Sequence, residues 1–255
     1  MRTALEKVAD DYSERPLDFN SENDLQARLY EETRDQLRSK DELETHQTSG
    51  FTIEADDSQP AYAQRYHQDL ESSLTQAPLT RVRTELTVWH PLGQMLNSDE
   101  RPFDKDDRTE ILDLAVLRDP FDRPVHLFNG RHRIEIEMVE KAVELKYPRS
   151  LLCMPSNKRG SITDLSDDEL RQAVNFERVG IAADIDELES LGEEYSITPY
   201  LFISSQYDIF RRGRDTEERH QLLADAAIEK LKNLCSTTSV LYSYPGGREW
   251  LVDHH

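Results

Sequence analysis

The stretch KAVELKYPRS, residues 141–150, places Glu144 and Lys146 inside an otherwise apolar run. Side chains alternate across a strand, so these two charged residues share one face and Val143, Leu145 and Tyr147 share the other. A core-type strand tolerates such a pair only where something compensates the buried charge. Taken alone, Glu144 and Lys146 read equally well as a solvated ion pair at a strand edge, which contributes little. The rest of the chain decides between these readings.

Upstream, ILDLAVL (residues 111–117) is short and almost continuously apolar, as suits a strand covered on both faces. RVRTELTVW (residues 81–89) is rich in β-branched and aromatic residues and predicts another strand. PVHLFNGRHRIEIEM adds one or two more around an Asn-Gly turn. SENDLQARLYEETRDQL predicts a helix, with Ser21 as N-cap, Asp24 as its capping partner, and Leu25, Leu29 and Leu37 along one stripe. After Pro155 the pattern turns helical. Ser166 and Glu169 form a capping box, Ile181, Ile185 and Leu188 mark a helix that Gly192 is expected to end, and PYLFISSQYDIF reads as a buried strand. A last helix carries Leu222, Leu223, Ala226, Ala227, Leu231 and Leu234, and SVLYSYPGGREWLV predicts a closing hairpin. The expectation is one α/β domain over residues 20–255, with a flexible polar lead-in at 1–19 and an insertion at 40–80.

Composition bounds the function classes. The 255 residues include 51 acidic and 31 basic ones, for a net charge of −20, and 36% are hydrophobic. Only 8 of the basic residues are lysine. This excess of acid with scarce lysine resembles the proteins of salt-loving archaea, whose surface carboxylates hold water in concentrated salt. In such salt the Debye length falls to about 3 Å, so net charge does not exclude a nucleic-acid partner. No stretch approaches the length of apolar sequence that a membrane span needs, and the N-terminus lacks a signal-like apolar run, so a cytoplasmic protein without a membrane partner is expected. Cys153 and Cys235 have no metal-ligand spacing and read as reduced core thiols.

The order of these elements, with Asp113 in LDLAVL and Glu144-Leu145-Lys146 in AVELKYP, resembles the PD-(D/E)XK nuclease superfamily. Glu22 in SENDLQARLY matches the upstream helical acid of that pattern, and the likeness covers most of residues 20–212. It implies a restriction-endonuclease-like fold, a mixed central sheet flanked by helices. It also implies a Mg²⁺- or Mn²⁺-dependent deoxyribonuclease acting on DNA, and admits a homodimer. Asp113 and Glu144 would supply carboxylates to the ion, and the resemblance implies the Leu145 carbonyl as a backbone ligand. The donor chemistry is sound, because Mg²⁺ takes hard oxygen ligands and keeps several waters. Lys146 would orient the attacking water or stabilise developing phosphoryl charge. Glu22 shares a helical face with Leu25, Gln26 and Leu29, so a docked leucine stripe would carry it toward the ion; an acid in a first turn also simply complements the helix dipole.

The chain departs from the family pattern in one respect: 30 residues separate Asp113 from Glu144. Glu135 and Glu137 also alternate in strand fashion, but neither is followed by lysine at the required offset. Glu85 precedes the Asp113 strand, where a solvated edge is its simpler reading. Arg131 and Arg133 beside Asn129-Gly130, and Arg211 and Arg212 after the buried-type strand, either contact phosphates or form solvated turns. DKDDRTEILD lacks the glycine of a calcium loop. Two rivals to the nuclease reading stand: a non-catalytic binding or scaffold module on the same fold, and an acidic protein whose Glu144 and Lys146 merely form a surface pair.

Overall fold

A computed structural model describes residues 1–45, 51–53, 79–89, 109–122, 125–128, 131–148, 166–177, 180–206 and 218–254. In chain order its elements begin with helices α1 (Arg2–Glu14) and α2 (Glu22–Ser39). Strands β1 (Glu44–Thr45), β2 (Phe51–Ile53), β3 (Leu79–Thr80), β4 (Val82–Trp89) and β5 (Thr109–Leu117) come next. They are followed by β6 (Val125–Phe128), β7 (Arg131–Glu135) and β8 (Val139–Lys146). Helices α3 (Asp167–Ala173) and α4 (Ile181–Tyr195) precede β9 (Thr198–Ser204), and α5 (Glu218–Leu234) precedes the strands β10 (Ser239–Tyr244) and β11 (Gly247–Val252). The architecture is mixed α/β. The chain forms two compact units, Met1–Leu29 with Val143–His255, and Tyr30–Ala142.

In the second unit the strands run in the order β8, β5, β4, β7, β6, β2, with β8 entering through residues 139–142. The sheet is mixed: β4 is antiparallel to β5 and parallel to β7, β6 is antiparallel to β7, and β2 is parallel to β6. The apolar run of β5 is buried as its sequence requires, with Leu112, Leu114, Ala115 and Leu117 inaccessible to solvent. Arg81 ties this unit together from a buried position. It donates to the carbonyls of Leu117 (2.8 Å) and Glu42 (3.3 Å) and pairs with Glu140 at 2.6 Å. Of the expected insertion at 40–80, the described parts form β1, β2 and β3, and β1 pairs antiparallel with β3. Residues 46–50 and 54–78 of that segment lie outside the described residues.

In the first unit the order is β8, β9, β10, β11, with residues 143–146 of β8 taking part. β9 and β10 are parallel, and β10 turns back into β11 through the predicted hairpin. Gly246 takes φ 95 at that turn, a conformation open to glycine because it has no Cβ. The polar lead-in expected at residues 1–19 is instead mostly helix. Ala4, Leu5, Val8, Ala9 and Tyr12 of α1 recur at helical spacing and are fully buried. The helix is fastened to β10 and β11 by the Ser243 hydroxyl donating to the Ala9 carbonyl (2.8 Å) and by Arg248 donating to Asp10 (2.6 Å). Its stripe is interleaved with many charges, so it barely registers in the local composition.

Both capping boxes form. Asp24 N–H donates to the Ser21 hydroxyl while Ser21 N–H donates to Asp24, and Ser166 and Glu169 reciprocate in the same way. Gly192, expected to end α4, lies inside it. A side chain there would run into Thr237, and the helix continues to Tyr195, capped by Ser196 with its left-handed φ of 54. Glu189 on the same helix accepts from the backbone N–H groups of Ser236, Thr237 and Thr238 at 2.8–3.1 Å. That clamp locates the turn between α5 and β10.

Candidate functional site

The alternation read from KAVELK is present in β8. Val143 and Leu145 are fully buried on one face. Glu144, on the other, is only 7% exposed, so its carboxylate is not at a solvated edge. Lys146, half-buried beside it, pairs with Asp184 at 3.0 Å. Asp184 belongs to the first turn of α4, where an acid also complements the helix dipole. Its position follows from helical spacing: Ile181, Asp184, Ile185 and Leu188 fall at offsets that share one face, and the three apolar members are buried. A carboxylate within a buried stripe is the sequence signal that would have singled out Asp184. The alternating acids of ADIDELES conceal it.

Charge in this cluster is mutually consistent. Burial pulls the Lys146 ammonium toward neutrality, but the Asp184 carboxylate 3.0 Å away, with the charges of Glu22 and Glu144, outweighs it and holds the Lys146 pKa above its ordinary 10.5. Lys146 is therefore a cation at neutral pH. It can stabilise an anion or hold a water, and it cannot accept a proton. Glu22 stands in the first turn of α2, whose cap is built by Ser21 and Asp24. Leu25 and Leu29 on the same face are fully buried, which docks that end of α2 and directs the field of Glu22 onto Lys146. The first unit thus brings together Glu22, Glu144 and Lys146 from the expected set, and adds Asp184.

Asp113 stands on β5 in the second unit, half-buried. Its register neighbours Leu112 and Leu114 pair with Leu86 and Thr84, which sets Asp113 opposite Glu85 on β4. Glu85 is exposed as expected, but not at an edge: β4 is flanked by β5 and β7. Its φ of 47 is a left-handed conformation rare for a residue with a side chain, and the ladder skips this position. Glu135 closes β7, and Glu137 lies in a 3₁₀ turn at Ile136–Met138, so the IEIE alternation does not continue as a strand. Arg131 and Arg133 lie on β7, paired with β6 and, for Arg133, with β4, rather than in a turn. Arg211 and Arg212 lie outside the described residues.

The buried Glu144 carboxylate and the Leu145 carbonyl are hard oxygen donors of the kind Mg²⁺ accepts alongside its waters. Among the described residues, no three acidic, histidine or cysteine side chains gather closely enough to hold an ion by themselves. Cys235 is buried and its thiol is pushed up to about 12, by burial first and the Glu189 charge second, which suits an inert core thiol. No helix among the described residues is long and apolar enough to cross a membrane. Compared with protein-family models, with curated proteins and with solved structures, the chain gives no significant match.

Proposed function

We propose that the chain is a restriction-endonuclease-like, divalent-metal-dependent hydrolase of DNA phosphodiester bonds. The observation that carries this reading is the buried Glu144 beside a cationic Lys146 on one strand face, with the charges of Glu22 and Asp184 focused on the same ammonium. Glu144 and the Leu145 carbonyl would hold Mg²⁺ or Mn²⁺. The bound ion would polarise a phosphoryl oxygen and acidify a water. Lys146, held charged, would meet the negative charge that develops on the phosphoryl group. Asp184 would keep the lysine pointed at it.

A nicking assay on supercoiled DNA in high salt with Mg²⁺ or Mn²⁺ tests the proposal. Wild-type protein should cleave, and Glu144→Ala or Lys146→Ala should abolish cleavage. A wild type inert on duplex, single-stranded and branched DNA, with variants that behave identically, refutes it. One observation favours the non-catalytic alternative, a binding or scaffold module on the same fold: Lys146 already has a full counter-charge in Asp184, and no three-acid group is assembled among the described residues. Calorimetric titration with Mn²⁺ separates the two. A binding module should take up no ion in a Glu144-dependent manner.

A further inference from the structure

Within the first unit, the end of α3, the first turn of α4 and the last turns of α5 line one cleft of about 410 Å³. That size falls within the range of small-molecule sites. Local hydrogen bonds fix its walls. Val174 ends α3 in an extended conformation, and the chain turns through residues 175–177 toward α4, where the Ala182 N–H donates to the Phe176 carbonyl (3.3 Å). From α5, the Lys230 ammonium donates to the Val174 carbonyl (2.7 Å) and ties that helix to the same turn. Ala182 and Asp184 are two positions apart on α4, so at about 3.6 residues per turn they point to nearly opposite sides of the helix. The cleft therefore lies across α4 from Lys146, the partner of Asp184.

The lining selects a class of ligand. Val174, Phe176, Ala182 and Leu234 supply apolar walls, and Leu234 is one of the few large apolar side chains left exposed among the described residues. Gln172, Asn175 and Asn233 add three carboxamides, and the charges of Lys230 and Glu177 cancel. A lining without net charge favours a neutral polar ligand over an ion. Each carboxamide presents a donor beside an acceptor, the complement of a ligand edge that carries an acceptor beside a donor. Nucleobases combine such edges with flat faces that pack on apolar and aromatic side chains. The side chains of Gln172, Glu177 and Asn233 have no partner among the described residues, so a ligand breaks no internal hydrogen bond to reach them.

We infer that this cleft binds a nucleobase, carried either by a free nucleoside or by an unpaired position of a DNA strand. It uses none of Glu144, Leu145 or Lys146, and its test involves no cleavage, so it stands or falls apart from the hydrolytic reading. The side-chain NH₂ resonances of isotope-labelled full-length protein are followed by NMR without divalent metal. The titrants are deoxyadenosine, thymidine, a single-stranded DNA tetranucleotide and toluene. The Gln172, Asn175 and Asn233 signals should shift saturably with a nucleoside or the tetranucleotide and not with toluene, which has a flat face but no paired edge. Asn233→Ala and Gln172→Ala should each weaken binding about three- to tenfold, the loss expected for a neutral hydrogen bond. Glu193→Gln, at an exposed position elsewhere on α4, should leave it unchanged. Ala182→Leu should weaken binding further by filling the cleft. Tighter binding of the tetranucleotide assigns the cleft to a base within a strand, and tighter binding of a nucleoside assigns it to the free ligand. If Ala182→Leu fails to fold, the variants at the exposed Asn233 and Gln172 still decide the matter. No saturable shift with the nucleosides or the tetranucleotide, an equal response to toluene, or wild-type affinity in the amide variants overturns the inference.

Discussion

Asp184→Asn removes one charge from the Lys146 cluster and leaves the side chain nearly the same shape. In the wild type the two groups meet at 3.0 Å with side chains 22% and 18% exposed, between the fully solvated and fully buried limits. Solvated pairs contribute about 0–1 kcal/mol, and breaking a buried pair costs about 3–5 kcal/mol. Asparagine still offers an oxygen to the ammonium, and Glu22 and Glu144 still supply charge, so the expected loss lies between those two limits, about 1–3 kcal/mol. Because the folded Lys146 pKa is raised above 10.5, this stabilisation is fully present below pH 10.5 and disappears as pH rises through the folded value. Urea unfolding at neutral pH should therefore show the full difference between wild type and variant, with the two curves converging in strong alkali. NMR titration of the lysine Cε resonance should show Lys146 losing its proton at lower pH in the variant. An unchanged Lys146 titration would refute the assignment of Asp184 as the main counter-charge, whatever the stability change.

Two further outcomes follow from the first unit. Glu189→Gln should destabilise by about 1–2 kcal/mol, because a neutral amide oxygen is a weaker acceptor for the N–H groups of Ser236, Thr237 and Thr238. Burial opposes ionisation of Glu189, but those hydrogen bonds outweigh it and hold its pKa below 4.5. Its contribution is thus present above pH 4.5 and lost as pH falls through the folded value, so acid unfolding monitored by circular dichroism should show wild type and Glu189→Gln converging at low pH. Gly192→Ala should cost about 1–3 kcal/mol by overpacking against Thr237, despite alanine's better helix propensity, and Thr237→Ala should recover part of that loss in the double variant. A stabilised Gly192→Ala in thermal melts would contradict the close approach of α4 to that turn.

The sequence by itself determined the features that arise from neighbouring residues. The face-sharing of Glu144 and Lys146, the buried strands β5 and β9, the hairpin at Gly246 and the two capping boxes all follow from alternation, turn chemistry and hydrogen bonds spanning a few positions. Tertiary structure alone decided which distant groups meet. α1 is polar enough to read as a lead-in until β10 and β11 cover its apolar stripe. Gly192 looks like a helix stop until Thr237 occupies the space a side chain would need. The partner of Lys146 was hidden among the alternating acids of α4, because local spacing can place Asp184 on an inward face but says nothing of the strand that face will meet. Backbone preferences act over a few residues and are written locally, whereas charge pairing depends on distances through space that exist only once the chain has folded.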